Sequence, residues 1–212
     1  MKTRSAIKTV NDPAWPSAFT RFLRRLGIRS GRDGHTEKRR PLLSKSKYIV
    51  GLQCSKALWI HYNNKELVPA ADARLSAIFD QGHQVGYWAK KLFPSGKDLG
   101  NISGFEKPVE ATRKALRERR PIFEASFIYN SCFSRADILD PTDDGRWDII
   151  EVKSSGAPED PADLREVYLQ DLAFQRYVYE GAGPPVRKCF LLLINKSYTI
   201  RQHRPGQTVQ TR

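Results

Sequence analysis

From residue 107 onward the chain alternates residue types in an order that few architectures accommodate. Residues 107–120 repeat Val109, Thr112, Ala115 and Leu116 at helical steps, and Pro121 stops the repeat. Ile122–Tyr129 is then β-branched and aromatic, residues 134–139 form a second short strand candidate, and residues 147–153 a third. Asp140-Pro141-Thr142-Asp143-Asp144-Gly145 lies between the last two and supplies the Pro and Asp-Gly of a reversal. Residues 163–180 read as a helix with Leu164, Val167, Tyr168, Leu172, Gln175 and Tyr179 near one face, ended by Gly181 and Gly183. Residues 186–195 contain Phe190-Leu191-Leu192-Leu193-Ile194, apolar enough for the inside of a sheet. The order is α-β-β-β-α-β. It predicts an α/β domain with a mixed central β-sheet flanked by helices.

Upstream, Ser44 is expected to cap a helix carrying Tyr48, Ile49 and Leu52, with a second helical turn through Ala57, Leu58 and Trp59. Pro69 breaks the pattern. A longer helix follows from Asp72, because Leu75, Ile78, Phe79, Val85, Ala89, Leu92 and Phe93 recur at three- and four-residue steps until Pro94-Ser95-Gly96. The folded domain is therefore expected over residues 42–195. Residues 1–41 read as a basic, disordered extension with a short amphipathic helix over 17–26. Residues 196–212 form a polar tail without periodicity, as a shortened chain would leave.

Charge bears on the partner. Lys and Arg number 36 against 23 Asp and Glu, a formal net charge of +13, which favours a polyanion such as nucleic acid. Residues 1–40 hold 11 of those cations and only 3 acids, so the surplus does not by itself describe a basic face of the domain. Mean hydropathy is −0.55 and no apolar run is long enough to span a bilayer, which argues against a membrane protein. Cys54, Cys132 and Cys189 are widely spaced, fitting reduced thiols better than a disulfide framework or a locally closed zinc site. The expected location is the cytoplasm.

The residues with chemistry are Asp137, Glu151 and Lys153. Asp137 interrupts the apolar Ala136-Asp137-Ile138-Leu139, and Glu151-Val152-Lys153 follows directly on Ile149-Ile150. Strand alternation puts Glu151 and Lys153 on one face with Val152 opposite, and an antiparallel neighbour brings Asp137 beside them. Two carboxylates of this kind hold a hard cation such as Mg²⁺, with the Val152 carbonyl as a further ligand. An adjacent lysine can hold the attacking water or offset charge as a phosphodiester is cleaved. Charges set against a core need partners or a metal. A salt bridge alone is the competing explanation.

Ordered segments add to this pattern. They are Ser44-Lys45-Ser46-Lys47-Tyr48, Gln53-Cys54-Ser55-Lys56-Ala57-Leu58-Trp59, Phe79-Asp80-Gln81-Gly82-His83-Gln84-Val85-Gly86, Arg135-Ala136-Asp137-Ile138-Leu139, Ile149-Ile150-Glu151-Val152-Lys153-Ser154-Ser155 and Gln170-Asp171-Leu172-Ala173-Phe174-Gln175. Over residues 42–195 the chain resembles the PD-(D/E)xK nuclease superfamily, in its RecB-like branch, and within it uncharacterised bacterial proteins with a RecB-like nuclease domain. The resemblance implies a restriction-endonuclease-like core and Mg²⁺- or Mn²⁺-dependent hydrolysis of DNA, with DNA favoured over RNA. It implies His83, Asp137, Glu151 and the Val152 carbonyl as metal ligands, and Lys153 as a catalytic group. It also implies an orienting glutamine with an aromatic residue four positions on, which Gln170 with Phe174 and Gln175 with Tyr179 both satisfy. Cys54 stands where some members place the first thiolate of an iron–sulfur cluster, but the late cysteine cluster is missing, so no cluster is expected. The rivals are a non-catalytic nucleic-acid-binding fragment and a structural module with a salt-bridged Asp, Glu and Lys. The basic stretch Arg113, Arg117, Arg119 and Arg120 is either a phosphate-contacting surface or a solvated helix face.

Overall fold

The computed structural model describes residues 7–10, 41–70, 72–158, 160 and 163–195. The expected helix over 17–26 and the polar tail over 196–212 lie outside them. The elements are β1 (Ile7–Val10), β2 (Leu43–Ser44), α1 (Lys45–Gln53), α2 (Ser55–Asn63), α3 (Ala73–Lys90), β3 (Lys97–Asp98), α4 (Glu106–Ala115), β4 (Ile122–Tyr129), β5 (Cys132–Pro141), β6 (Trp147–Gly156), α5 (Glu166–Ala182) and β7 (Val186–Ile194). The order from α4 onward is α-β-β-β-α-β, and the class is α/β.

Local chemistry sets the element ends. The Ser44 hydroxyl accepts from the Lys47 amide at 3.5 Å and caps α1. Asp72 Oδ1 does the same for α3, accepting from Leu75 N at 2.7 Å. Asn130 and Ser131, both at positive φ (47° and 57°), join β4 to β5 as the two-residue turn whose twist suits a hairpin. Gly145, at φ 85°, closes the reversal between β5 and β6.

Among the described residues the strands form one mixed sheet of seven, ordered β1-β7-β6-β5-β4-β3, with β2 added to β5. β6 and β7 are parallel neighbours, joined by α5 as parallel pairing requires. Ile7–Val10 pair antiparallel with β7. The main core lies on the face covered by α1, α2, α4 and α5. It contains Tyr48, Leu58, Ala125, Phe127, Ala136, Ile149, Leu172, Phe174, Tyr179 and Leu191. Tyr48 stacks on Phe174 at 4.8 Å between ring centres, which fixes α1 against α5. The other face carries a smaller cluster of Ala89, Phe123, Ile138, Ile150 and Leu192.

α3 departs from the sequence expectation. Its apolar period is real, but only Ala89 is buried, while Leu75, Ile78, Phe79 and Trp88 are exposed. Only its C-terminal turn, with Phe93 just beyond, meets the smaller cluster.

β5 forks the sheet. It pairs with β6 only from Ile138↔Ile150 to Pro141↔Trp147, while β6 continues beside β7. Further back along β5, β2 takes the vacated edge through Leu43↔Cys132 and Ser44↔Phe133. The β4–β5 ladder skips the pair Glu124–Asp137, and Glu124 sits at φ 59°, a strained value for a non-glycine residue inside a strand. Side-chain alternation shifts phase there: Ile122 and Ala125 both reach the main core, as do Ala136 and Leu139 on the partner strand.

Tyr179 braces this fork. Its hydroxyl, fully buried, accepts from Ala136 N at 2.9 Å and donates to the Ala125 carbonyl. Tyr179→Phe strips both backbone groups of their partner in a dry core. We expect a loss of about 2–3 kcal/mol, read as a lower urea midpoint with an unchanged slope.

Candidate active site

β6 presents Glu151 and Lys153 toward α5, while Val152 turns to the smaller cluster on the opposite face. α5 supplies Asp171 and Gln175, one helical turn apart and in line with Tyr179. α1 supplies Lys45, its first residue. Because β2 occupies the edge that β6 leaves, α1 begins directly beside the fork.

These side chains form one ionic network. Glu151 is 3% exposed and Gln175 0%. Lys153 Nζ donates to Glu151 Oε1 at 2.7 Å and to Asp171 Oδ2 at 2.7 Å. Lys45 Nζ donates to the same Glu151 Oε1 at 2.7 Å and lies 3.4 Å from Asp171 Oδ1. Gln175 Nε2 donates to Glu151 Oε2 at 2.8 Å and to Asp171 Oδ1 at 3.0 Å. Asp137, on β5, accepts the Val152 amide through Oδ2 at 2.7 Å, catching an N–H that the fork leaves without a ladder partner on β5.

The electrostatics follow from burial and neighbours. Burial works to raise the Glu151 carboxyl, but Lys45 and Lys153 outweigh it and hold Glu151 low and ionised. Burial raises Asp137, with Glu151 adding like-charge repulsion, up to about 7. Asp171 is also raised, by burial first and Glu151 second. Burial opposes the charge on Lys45 and Lys153, yet the surrounding carboxylates raise both, so both stay protonated.

Glu151, Lys153 and Gln175 therefore share one network, and Asp137 lies beside it, bonded to the Val152 amide and within electrostatic reach of Glu151 and Lys45. Of the two glutamines, Gln175 enters the network, whereas Gln170 donates to Glu166 at 3.0 Å on the helix surface. His83 is exposed on α3, and no hydrogen bond or ion pair joins it to the network among the described residues. Arg119 donates to the carbonyls of Thr142 and Gly145, at 2.7 and 3.1 Å, and covers the Trp147 ring; Arg120 pairs with Glu118. Two of the four arginines thus have structural partners. The cysteines are free and lie apart, Cys54 exposed between α1 and α2, Cys132 buried on β5 and Cys189 buried on β7. Sequence reasoning gave no role to Lys45 or Asp171. Asp171 had a signal, a carboxylate four residues before Gln175 on a face otherwise apolar. Lys45 had only its place beside a capping serine.

Do these residues fit a divalent ion? Among the described residues no three His, Cys, Asp or Glu side chains converge as a ligand group. Magnesium does not demand that, since it is often held by one or two carboxylates and keeps several waters. Asp137 and Glu151 supply hard oxygens of the right kind. The Gln175 Oε1 atom is a buried acceptor without a hydrogen-bond partner among the described residues, on the side chain whose Nε2 holds Glu151. The donor set fits. Compared with protein-family models, curated proteins and solved structures, the chain matches none.

In protein freed of divalent ions, Asp137 retains a proton that the unfolded chain releases near 3.8. Native stability contributed by that proton is therefore lost as pH climbs from about 4 to about 7. Asp137→Asn does not titrate, so its stability relative to wild type should grow between pH 5 and pH 7 and level off above. Urea unfolding at both ends of that range reads the difference; a constant offset would contradict it.

Proposed function

We propose that the chain is a divalent-metal-dependent nuclease that hydrolyses DNA phosphodiester bonds. The observation that carries this reading is the bonded pair Glu151 and Lys153 at the point where β5 leaves β6, with Asp137 bonded to the Val152 amide between them. That fork gives a buried acid pair and a charged lysine access to one spot. Lys153 retains 21% exposure of its side chain there.

In this reading Asp137, Glu151 and the Val152 carbonyl would hold Mg²⁺ or Mn²⁺. The ion would supply positive charge to the scissile phosphate and make its bound water more acidic. Lys153 Nζ, kept protonated by Glu151 and Asp171, donates a hydrogen bond toward the attacking water or the phosphate oxygen. Gln175 fixes the Glu151 carboxylate by holding Oε2, and Asp171 fixes Lys153. A shell that locks its charged groups in this way suits a reaction in which charge builds on phosphate oxygens. The basic composition of the chain agrees with a polyanionic substrate.

A purely structural role for the network is the second reading. It is favoured by one observation: Glu151 Oε1 already accepts two ammonium groups. Under that reading Mn²⁺ leaves the melting temperature unchanged.

Labelled single- and double-stranded DNA, incubated with and without Mn²⁺, separates the two. Wild-type protein should cleave only with the ion, and Glu151→Ala should not cleave. Lys153→Met should turn over about 10²–10³-fold more slowly while still binding Mn²⁺. Cleavage by Glu151→Ala at the wild-type rate would overturn the proposal.

A further inference from the structure

The second lysine of the network has no place in the mechanism above. Lys45 reaches Glu151 from α1, 106 residues away in sequence. Two features separate it from Lys153. Lys153 has two short anchors at 2.7 Å, on Glu151 and Asp171, whereas Lys45 has one at 2.7 Å and a second contact at 3.4 Å. Lys45 is also the first residue of a helix, where the positive end of the helix dipole disfavours a cation. The carboxylates hold it there against that field.

The chemistry of Glu151 makes the two lysines matter together. Oε1 accepts both ammonium groups, which uses both of its lone-pair directions, whereas Oε2 accepts one hydrogen bond, from Gln175, and keeps one direction open. A divalent ion cannot take Oε1 while both ammoniums stay. The two side chains are almost equally exposed, at 23% and 21%, so the difference in anchoring between them is the longer contact of Lys45 with Asp171, 3.4 Å against 2.7 Å for Lys153.

We propose that Lys45 is the exchange partner of the divalent ion: its ammonium neutralises Glu151 and Asp171 in the ion-free chain and is released from Glu151 when the ion binds. This rests on the metal-dependent reading and deepens it. No bond is made or broken beyond hydrogen bonds and ionic contacts. Once released, Lys45 stands beside the fork as a free cation for an incoming phosphate.

Titration calorimetry with MnCl₂ at pH 7.5 tests the exchange on wild type, Lys45→Met, Lys45→Arg and Glu151→Ala. Lys45→Met should bind Mn²⁺ at least about tenfold more tightly than wild type, because a competitor has been removed. Lys45→Arg keeps the competitor and should bind no more tightly than wild type. A merely structural Lys45 predicts the opposite sign, since losing a structural ion pair loosens the site. A folded Lys45→Met that binds Mn²⁺ with wild-type or weaker affinity overturns the exchange and leaves the nuclease reading standing. No binding by wild type and Lys45→Met alike overturns both. Should Lys45→Met fail to fold, wild-type protein decides by itself. In brief acylation with an amine-reactive ester, read by peptide mass spectrometry, Lys45 should label several-fold faster with saturating Mn²⁺ while Lys153 does not. Equal labelling of Lys45 in the presence of bound Mn²⁺ overturns the exchange.

Discussion

A carboxylate in the middle of a strand, covered by a helix, has to be neutralised or bonded on every side. Glu151 is such a group, and the surrounding chain is organised around meeting its needs. Lys153 comes from its own strand, Lys45 from the first helix, and Gln175 from the crossover helix. Asp171 extends the same balance one step outward by sharing both lysines. Two acids and two ammoniums thus leave a buried polar cluster close to neutral, which is the condition under which such a cluster tolerates burial. Removing any one member leaves a charge without its counterpart.

The geometry behind that cluster is a failure of pairing, placed where it is useful. Antiparallel strands that stayed together would seal Asp137 and Val152 into a ladder. Instead β5 and β6 separate after Ile138 and Ile150. The skipped Glu124–Asp137 pair and the positive φ of Glu124 sit on the same stretch of β5's other edge. The Asp137 side chain satisfies the Val152 amide, and β2 re-covers the edge further along. Tyr179 then ties β4 to β5 just past the distortion, through backbone groups on both strands. Irregularity at this point is held by the surrounding structure, as strained positions at polar sites generally are.

How much of this the sequence disclosed depended on range. Period-2 and period-3.6 patterns are local, so Ile122–Tyr129 appears with the bounds expected for it, and the helix and strand after Glu-Val-Lys differ from expectation by only a few residues. Asp137, Glu151 and Lys153 were visible because charges interrupt apolar strands. Gln175 could not be separated from Gln170 by spacing alone; the helix face decided it, since Gln175 lies in line with Tyr179 and Gln170 does not. Lys45 was invisible because its role comes from an edge pairing between residues about ninety positions apart, which no window along the chain contains. The long third helix misled for the reverse reason. Its apolar period is genuine, but period says nothing about whether another element arrives to cover it.

The 106-residue separation between Lys45 and Glu151 has a bearing on how the domain comes together. A contact this distant carries the closure entropy of the chain between its partners, which has to be offset before the contact returns anything. Without α1, the unit from α4 to β7 would carry Glu151 and Asp171 with the Lys153 ammonium alone between them. Lys45 directly follows β2, so the pairing that completes the sheet edge also places the second ammonium. The ion pair is thus a latch between the first helix and the middle of the sheet.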